Sequence, residues 1–466
     1  MNLAQTIDIT EEKAPMRAKI RQQLAIVEPS ITHQHSDELE QMGLLLDKCP
    51  EVLDLVYADL IVGLIDPETG RNGMMTAEQV LRAMLIKQMN SFSYEELSFH
   101  LADSRSYRRF CGVGFADEIP SSSTLQRDIK KIRVGTLESI NCALLAIAAN
   151  QHIENGRKIR TDCTVVETNI HHPTDSSLLE DSVRVLARLL ERVKEEYKLD
   201  SHFVNHSRRA KKRALDILNA KNQKKRFKPY KDLIEIASWT VSYCREALDQ
   251  LNILAAAGIW EAKEAAQELG HYLSLAEQVI SQSERRVLKG KKVPTAEKVV
   301  SIFEPHTDII VKDRRDTLYG HKIAISGGAS GLITDLVVED GNPSDATLAV
   351  QMTSRQQEIY GRVPRQISFD GGFASKSNLA EIKALGVKDV CFHKKCGIKI
   401  AEMAKSTWVY KRLRNFRAGI EGSISYLKRS FGLRRCTWSG LRSFKAYAWA
   451  SVITANLLLM SRHLLA

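Results

Sequence analysis

The chain has 466 residues, of which 44% are hydrophobic and 26% are charged, and it carries a formal net charge of +11. This composition is ordinary for a soluble globular protein, the length allows two to four domains, and the positive charge favours a polyanionic partner. The eight cysteines are scattered, which excludes a disulfide framework and fits a reducing compartment with free thiols.

No segment predicts export or membrane insertion. The N-terminus has early acids and lacks an apolar core, so it does not have the pattern of a secretory signal. The longest uncharged run, residues 446–461, is too short to span a bilayer comfortably and is interpreted as a buried C-terminal helix. We therefore expect a cytoplasmic protein that makes no membrane contact.

Residues 1–150 predict an all-α N-terminal domain. Capping-box patterns at residues 76–79 and 93–96 predict two helices joined by a short turn at residues 90–91, and Ser123 is expected to open a third helix. The arrangement is typical of a helix-turn-helix DNA-binding unit, but packing or dimerisation would give the same rhythm. The third segment carries four cations: Arg127, Lys130, Lys131 and Arg133.

A change of period follows at residues 158–169, which are rich in β-branched side chains and predict a strand. This strand opens the first part of a sheet domain over residues 151–176. Asp162 lies inside it, where aspartate is disfavoured by propensity. Either the strand is a solvated edge, or Asp162 is a metal ligand.

Residues 177–300 predict a helical insertion, because the apolar spacing returns to that of long amphipathic helices. Within it, residues 208–231 hold eleven Lys or Arg and one acid, Asp216, and residues 285–292 form a second basic run. These runs are either solvated loops or a surface for the phosphate backbone of nucleic acid. The candidate contacts in the first run are Lys224, Lys225 and Arg226.

Residues 301–466 complete the sheet domain. Their pattern predicts the order β-β-β-α-β-α-β-α, which describes an α/β protein with a mixed sheet and flanking helices. One strand ends at Asp370, directly before Gly371 and Gly372, and strand ends of this kind face ligand crevices in open sheets. An Asp-Gly turn is the simpler alternative.

The last helix of interest covers residues 410–435, which are strongly basic but contain one acid, Glu421. At roughly 100° per residue, Arg414, Arg417, Glu421 and Lys428 fall within about 60° of one another. Carboxylates bind divalent cations and basic side chains bind phosphates, so this face suits phosphodiester chemistry. A solvated basic face with a salt-bridged glutamate remains the alternative.

Three acids on separate elements therefore stand out: Asp162, Asp370 and Glu421. If the fold brings them together, they could hold two Mg²⁺ ions, or Mn²⁺ in their place, for an in-line displacement at phosphorus.

The chain resembles the DDE transposases of bacterial insertion sequences, which have an RNase H-like core. Arg417, Glu421 and Lys428 have the spacing of the Tyr-Arg-Glu-Lys signature of many members, with Arg414 in place of the Tyr. The segments DCTVVETN around Asp162, TLYGHK with His321 and Lys322, and DGGF after the sheet strand are also similar to the family's motifs.

The resemblance implies that Asp162, Asp370 and Glu421 are the catalytic metal ligands, and that Arg417 and Lys428 contact phosphates. His321 and Lys322 are weaker candidates, and Arg414 is a further cation near DNA. It implies a transposase that binds the terminal inverted repeats of its element and target DNA, cleaves and transfers strands, associates with the nucleoid and acts as a homodimer. An inactive DNA-binding relative and a structure-directed nuclease are the alternatives.

Overall fold

The computed structural model describes residues 31–63, 75–114, 117–312 and 316–466. The all-α domain expected over residues 1–150 lies partly outside these ranges. The N-terminal helices are α1 (Gln34–Leu46), α2 (Glu51–Ile61), α3 (Ala77–Asn90), α4 (Tyr94–Asp103), α5 (Arg105–Phe110), α6 (Ser122–Ile129) and α7 (Val134–Asn150). Strand β1 (Lys158–Glu167) is followed by α8 (Asp175–Tyr197), α9 (Ser207–Asn219), α10 (Gln223–Ala256) and α11 (Trp260–Ser283).

The later elements complete the sheet and its helices. They are β2 (Asp308–Lys312), β3 (Asp316–Gly327), β4 (Ile333–Val338), α12 (Asp345–Tyr360), β5 (Gln366–Phe369), α13 (Lys376–Ala384), β6 (Asp389–Phe392), α14 (Ile400–Met403), α15 (Thr407–Ser430) and α16 (Leu441–Leu465). The predicted order of strands and helices after residue 300 is confirmed, and α16 is the C-terminal helix expected over residues 446–461. The short helix α14, which was not predicted, precedes the helix that carries Glu421.

Side-chain capping sets the N-terminal helix starts. Thr76 and Ser93 each accept a bond from the third residue of their helix, and both capping boxes are complete, as predicted. The prediction that Ser123 opens the third helix was wrong, because the hydroxyl of Ser121 accepts from Thr124 N and α6 begins two residues earlier than expected. The short helix α5 also intervenes between the second and third predicted helices.

Within the described residues the sheet contains six strands, in the order β2-β3-β1-β5-β6, with β4 also paired to β3. β1 runs antiparallel to β3 and parallel to β5, and β6 is parallel to β5. β2 and β4 pair with successive halves of β3. β1 is therefore a central strand, which excludes the solvated edge considered from the sequence.

Apolar side chains are buried in three clusters. One joins the N-terminal helices, α16 and the second half of α15 to strands β1, β3 and β4, and another joins strands β5 and β6 to α12, α13 and the first half of α15. The third lies inside the helical insertion, among α8 to α11. The insertion thus buries its own hydrophobic surface, which is the main favourable contribution to folding.

The C-terminal helix α16 is buried over nearly all of residues 446–461, as predicted. Its one amide in this run, Asn456, bonds to Asn141 Oδ1 on α7 at 2.8 Å and to both backbone groups of Ile333 on β4. This satisfied polar side chain fixes the N-terminal helices against the sheet. Over the described ranges no single helix is long and apolar enough to cross a membrane. Helices α6 and α7, taken together, have sufficient length and apolar composition, but they are bent relative to each other by 78°.

Candidate active site

The parallel pairing of β1 and β5 brings two of the predicted acids together. The register pairs Thr161 of β1 with Phe369 of β5. The residues that follow them along the two parallel strands are Asp162 and Asp370. Asp162 remains in β1, with its Oδ1 accepting a 2.8 Å bond from Cys163 N, while Asp370 leaves the sheet as the first residue of a short turn. Neighbouring parallel strands therefore place the two carboxylates side by side.

The third acid arrives on α15, which is fixed to the sheet by polar contacts as well as by apolar packing. The Ser368 hydroxyl on β5 donates to Leu413 O at 3.0 Å, and Arg160 Nη1 on β1 donates to Phe416 O at 3.2 Å. A Cβ at Gly419 would lie 1.7 Å from Arg160 Nη1, so a larger residue there would displace the Arg160 guanidinium. Glu421 lies one half-turn beyond that point.

All three predicted acids meet at one guanidinium. Arg417 Nη1 lies 3.3 Å from Asp162 Oδ2 and 3.4 Å from Asp370 Oδ1, and Arg417 Nη2 donates to Glu421 Oε1 at 2.5 Å. The Arg417 and Asp162 side chains are only 10% and 16% exposed, whereas Asp370 and Glu421 are 40% and 59% exposed. One side of the cluster is therefore buried in the sheet and the other faces solvent.

The charges in this cluster act strongly on one another. Burial raises the pKa of Asp162 to about 6; the negative charges of Asp370 and Glu421 also raise it, while Arg417 opposes them. The three carboxylates raise the pKa of the Arg417 guanidinium against the effect of its burial. Three acids thus share one cation, which leaves the cluster with excess negative charge when all of them are ionised.

The donor set suits a divalent metal ion, because three carboxylates surround one positive group. In the described part of the chain, however, no three His, Cys, Asp or Glu side chains are arranged to hold a metal as they stand. The guanidinium of Arg417 lies between the acids, so a metal ion would have to displace it.

The two glycines after Asp370 have a local packing role. A Cβ at Gly371 would lie 2.8 Å from the Lys394 side chain, and one at Gly372 would lie 2.6 Å from Asp345 Oδ2. At both glycines the backbone therefore lies close to side chains of the protein itself.

The other cations of α15 that the sequence singled out, Lys428 and Arg414, lie in different environments. Lys428 Nζ donates to Val165 O on β1 at 2.8 Å, which holds the end of α15 on the strand that carries Asp162. Arg414 is exposed on the same side of the helix as Arg417. Tyr410 is buried, and its hydroxyl donates to Phe392 O at 2.9 Å, so it supports the core.

Lys322 is engaged inside the protein. Its Nζ lies 2.5 Å from Asp345 Oδ1 and donates to Pro343 O at 2.7 Å, with the side chain 13% exposed. These contacts hold β3 against the start of α12, and they leave Lys322 a weak candidate for contact with a phosphate.

His321 lies in a chain of four titratable groups. Its Nδ1 is 3.0 Å from Asp308, its Nε2 is 2.7 Å from His306 Nδ1, and His306 Nε2 is 2.7 Å from Glu304. Glu304 also accepts from Gly440 N, just before α16. Burial lowers the pKa of His321, while the charge of Asp308 opposes this effect. The network favours a structural role for His321, because both of its ring nitrogens are engaged by other side chains.

The first basic run, residues 208–231, is largely helical, in contrast to the loop considered from the sequence, because it forms most of α9 and the start of α10. The second run is helical up to Leu288 and irregular over residues 289–292. Lys224, Lys225 and Arg226 lie exposed on the first turn of α10, and Arg226 Nε donates to Ala220 O.

The cations predicted in the third N-terminal segment contact neighbouring parts of the protein. Arg127 pairs with Asp128. Two later cations bond to residues of α2: Lys131 donates to Leu60 O and Arg133 pairs with Asp59. These contacts favour the packing interpretation of that segment.

Sequence reasoning missed the central position of Arg417, which it assigned to a phosphate. The four-residue spacing of Arg417 and Glu421 was the available signal, because such pairs face each other on a helix. The contacts to Asp162 and Asp370 depend on long-range packing and leave no local signal.

Comparison with known proteins adds two matches. A family model described as a transposase DDE domain matches residues 312–457, and one described as a transposase domain matches residues 32–131. The first match includes Asp370 and Glu421, whereas Asp162 and the helical insertion lie outside both. No curated protein and no solved structure matches the chain.

Proposed function

Because the chain belongs to the DDE transposases, we propose that it binds the ends of an insertion sequence and catalyses metal-dependent DNA strand cleavage and strand transfer. Asp162, Asp370 and Glu421 act as the catalytic metal ligands. The observation that carries this proposal is the convergence of these acids, from two strands and a helix, on the single guanidinium of Arg417.

The architecture supports the same conclusion. A central strand with an antiparallel neighbour on one side and two parallel strands on the other is consistent with an RNase H-like core. The acids lie where β1 and β5 adjoin, and α15 crosses that point. We assign the RNase H-like fold to the sheet domain on this basis, with the helical insertion between its two parts.

The residues of the chain have distinct roles in this proposal. The carboxylates hold two divalent ions, Mg²⁺ or Mn²⁺, which when bound neutralise charge on the attacking and leaving oxygens. Arg417 leaves the carboxylates and contacts a DNA phosphate. Lys428 holds α15 against β1, and Arg414 contributes positive charge at the solvent side. Since the chemistry is phosphoryl transfer, positioning and charge neutralisation are the main requirements.

DNA is the partner in this proposal, both at the element's terminal inverted repeats and at the target. The exposed cations Lys224, Lys225 and Arg226 suit backbone contacts, which release counterions and make affinity fall steeply with salt. A homodimer that pairs two element ends in the nucleoid completes the proposed assembly.

The test is strand cleavage of a DNA fragment that carries the inverted repeats flanking the gene, with Mg²⁺ present. Asp370→Asn removes one ligand charge while keeping the shape, so cleavage is expected to fall by about a hundredfold to a thousandfold with DNA binding retained, as for losses of a central electrostatic group. Asp340→Asn is the control, because Asp340 is an exposed acid whose ion-pair partner among the described residues is Lys445. Unchanged cleavage by Asp370→Asn would remove this residue from the mechanism.

The same assay separates the alternatives. Absence of cleavage by the wild type, with binding of the repeats intact, would indicate an inactive DNA-binding relative. Equal cleavage of DNA with and without the repeats would indicate a structure-directed nuclease.

A further inference from the structure

Helix α15 has a second face that the proposed reaction does not use. Trp408, Arg412 and Phe416 follow one another at four-residue spacing, roughly 160° around the helix from Arg417 and Glu421 at about 100° per residue. Trp408 is 63% exposed. This aromatic–cation face, formed by Trp408, Arg412 and Phe416 with Lys158 and Arg160 of β1, lies on the opposite side of α15 from the acids.

Cations stack on both aromatic rings of this face. The Arg412 guanidinium lies 4.8 Å from the centre of the Trp408 ring, and Lys158 Nζ lies 4.1 Å from the centre of the Phe416 ring. Arg160 lies 4.7 Å from the same Phe416 ring. Such contacts hold the charges beside the rings without neutralising them.

The positive charge of the face has no paired acid. Across the described residues, Lys158, Arg160 and Arg412 form no ion pair. Burial lowers the pKa of the Lys158 ammonium, and the charges of Arg412 and Arg160 lower it further. Among the described residues, Glu154 is the acid that acts on Arg160, and its carboxylate is already bonded to the backbone of nearby loops.

Arg160 gives a second, independent indication of an unsatisfied site. It is 8% exposed, its Nη1 donates to Phe416 O, and its Nε is buried without a hydrogen-bond partner. A buried guanidinium with an incomplete set of partners, next to two further cations, is costly unless an anion is nearby. The local charge therefore favours a bound phosphate.

We propose that the aromatic–cation face of α15 is a binding site for single-stranded DNA, separate from the carboxylate cluster. An unpaired base stacks on the exposed ring of Trp408, and the backbone phosphates lie against Arg412 and Lys158. Stacking on an exposed aromatic ring beside cations is the usual basis of single-strand binding that tolerates any sequence. The proposal depends on DNA being the substrate and is independent of the roles of the three acids.

The experiment measures binding of the full-length protein to a labelled oligonucleotide of thymidines and to a labelled duplex, both in EDTA. Trp408→Ala is expected to weaken single-strand binding about tenfold and duplex binding less than about twofold, since a stacked base contributes at that level. Trp408→Phe is expected to keep most of the affinity because it keeps a ring. Single-strand affinity falls with salt, and the slope of log affinity against log salt concentration is about −0.7 for each phosphate contacted. Arg412→Gln should make this slope less steep by about 0.7 for each phosphate contact that is lost.

Trp260→Ala is the matched control, because Trp260 is 61% exposed at the start of α11 and is expected to leave both affinities unchanged. Melting curves of each variant check that the fold is intact. Equal losses for single strand and duplex in Trp408→Ala, an unchanged single-strand affinity, or the same loss in Trp260→Ala would each overturn the proposal. Because EDTA removes metal ions, this result is distinct from the cleavage result with Asp370→Asn.

Discussion

Replacing the central guanidinium tests whether it holds the three acids together. Arg417→Gln leaves three neighbouring carboxylates without their shared cation. The hydrogen bond to the buried Asp162 contributes about 2 kcal/mol, as expected for a bond between charged groups. The pairs with the more exposed Asp370 and Glu421 contribute about 0.5 kcal/mol each after solvent screening. Metal-free Arg417→Gln should therefore lose about 3 kcal/mol at neutral pH.

The assay is thermal melting in EDTA and again with Mg²⁺ or Mn²⁺. For a sheet unit of 150–250 residues, a loss of this size lowers the Tm by roughly 6–12 °C. Added metal should raise the Tm of Arg417→Gln more than that of the wild type, because no guanidinium competes for the carboxylates. Arg414→Gln, an exposed cation on the same helix, should change the free energy of unfolding by less than about 0.5 kcal/mol. If both variants melt alike, and metal stabilises them equally, the reasoning is refuted.

Two further outcomes are expected. The folded pKa of Asp162 is about 6 against an ordinary 3.8, so its contribution to the free energy of unfolding is full below about pH 4 and is lost as pH rises through about 6. In EDTA, urea unfolding of the wild type should show a larger loss between these pH values than unfolding of Asp162→Asn; parallel pH curves would contradict this. Gly320→Ala places a Cβ 1.9 Å from Val166 O across the β1–β3 pairing and should cost about 3 kcal/mol. Gly422→Ala on α15 meets nothing within 4 Å and should stabilise the helix by about 0.5–1 kcal/mol in the same urea experiment; similar effects of the two changes would count against this account.

Local sequence patterns were sufficient for most elements of the fold. Capping boxes gave the starts of α3 and α4, and apolar spacing gave the strands and helices after residue 300, because these signals depend on neighbouring residues. The start of α6 was missed by two residues, since several serines there could cap a helix. The helical state of residues 208–231 was also missed, because a dense run of cations resembles a solvated loop.

The chain by itself pointed to the three acids that the structure brings together: Asp162 inside a strand, Asp370 at the end of another, and Glu421 alone on a basic helix face each departed from the local pattern. Only the tertiary structure decided that Arg417 joins them. It also paired Lys322 with Asp345, placed His321 in a hydrogen-bonded network, and left Trp408 exposed beside cations that form no ion pair with a described residue. The physical reason is that periodicity and capping act over a few residues, whereas ion pairing and burial are set by strand register and helix docking, which join groups as distant along the chain as Asp162 and Arg417, 255 residues apart.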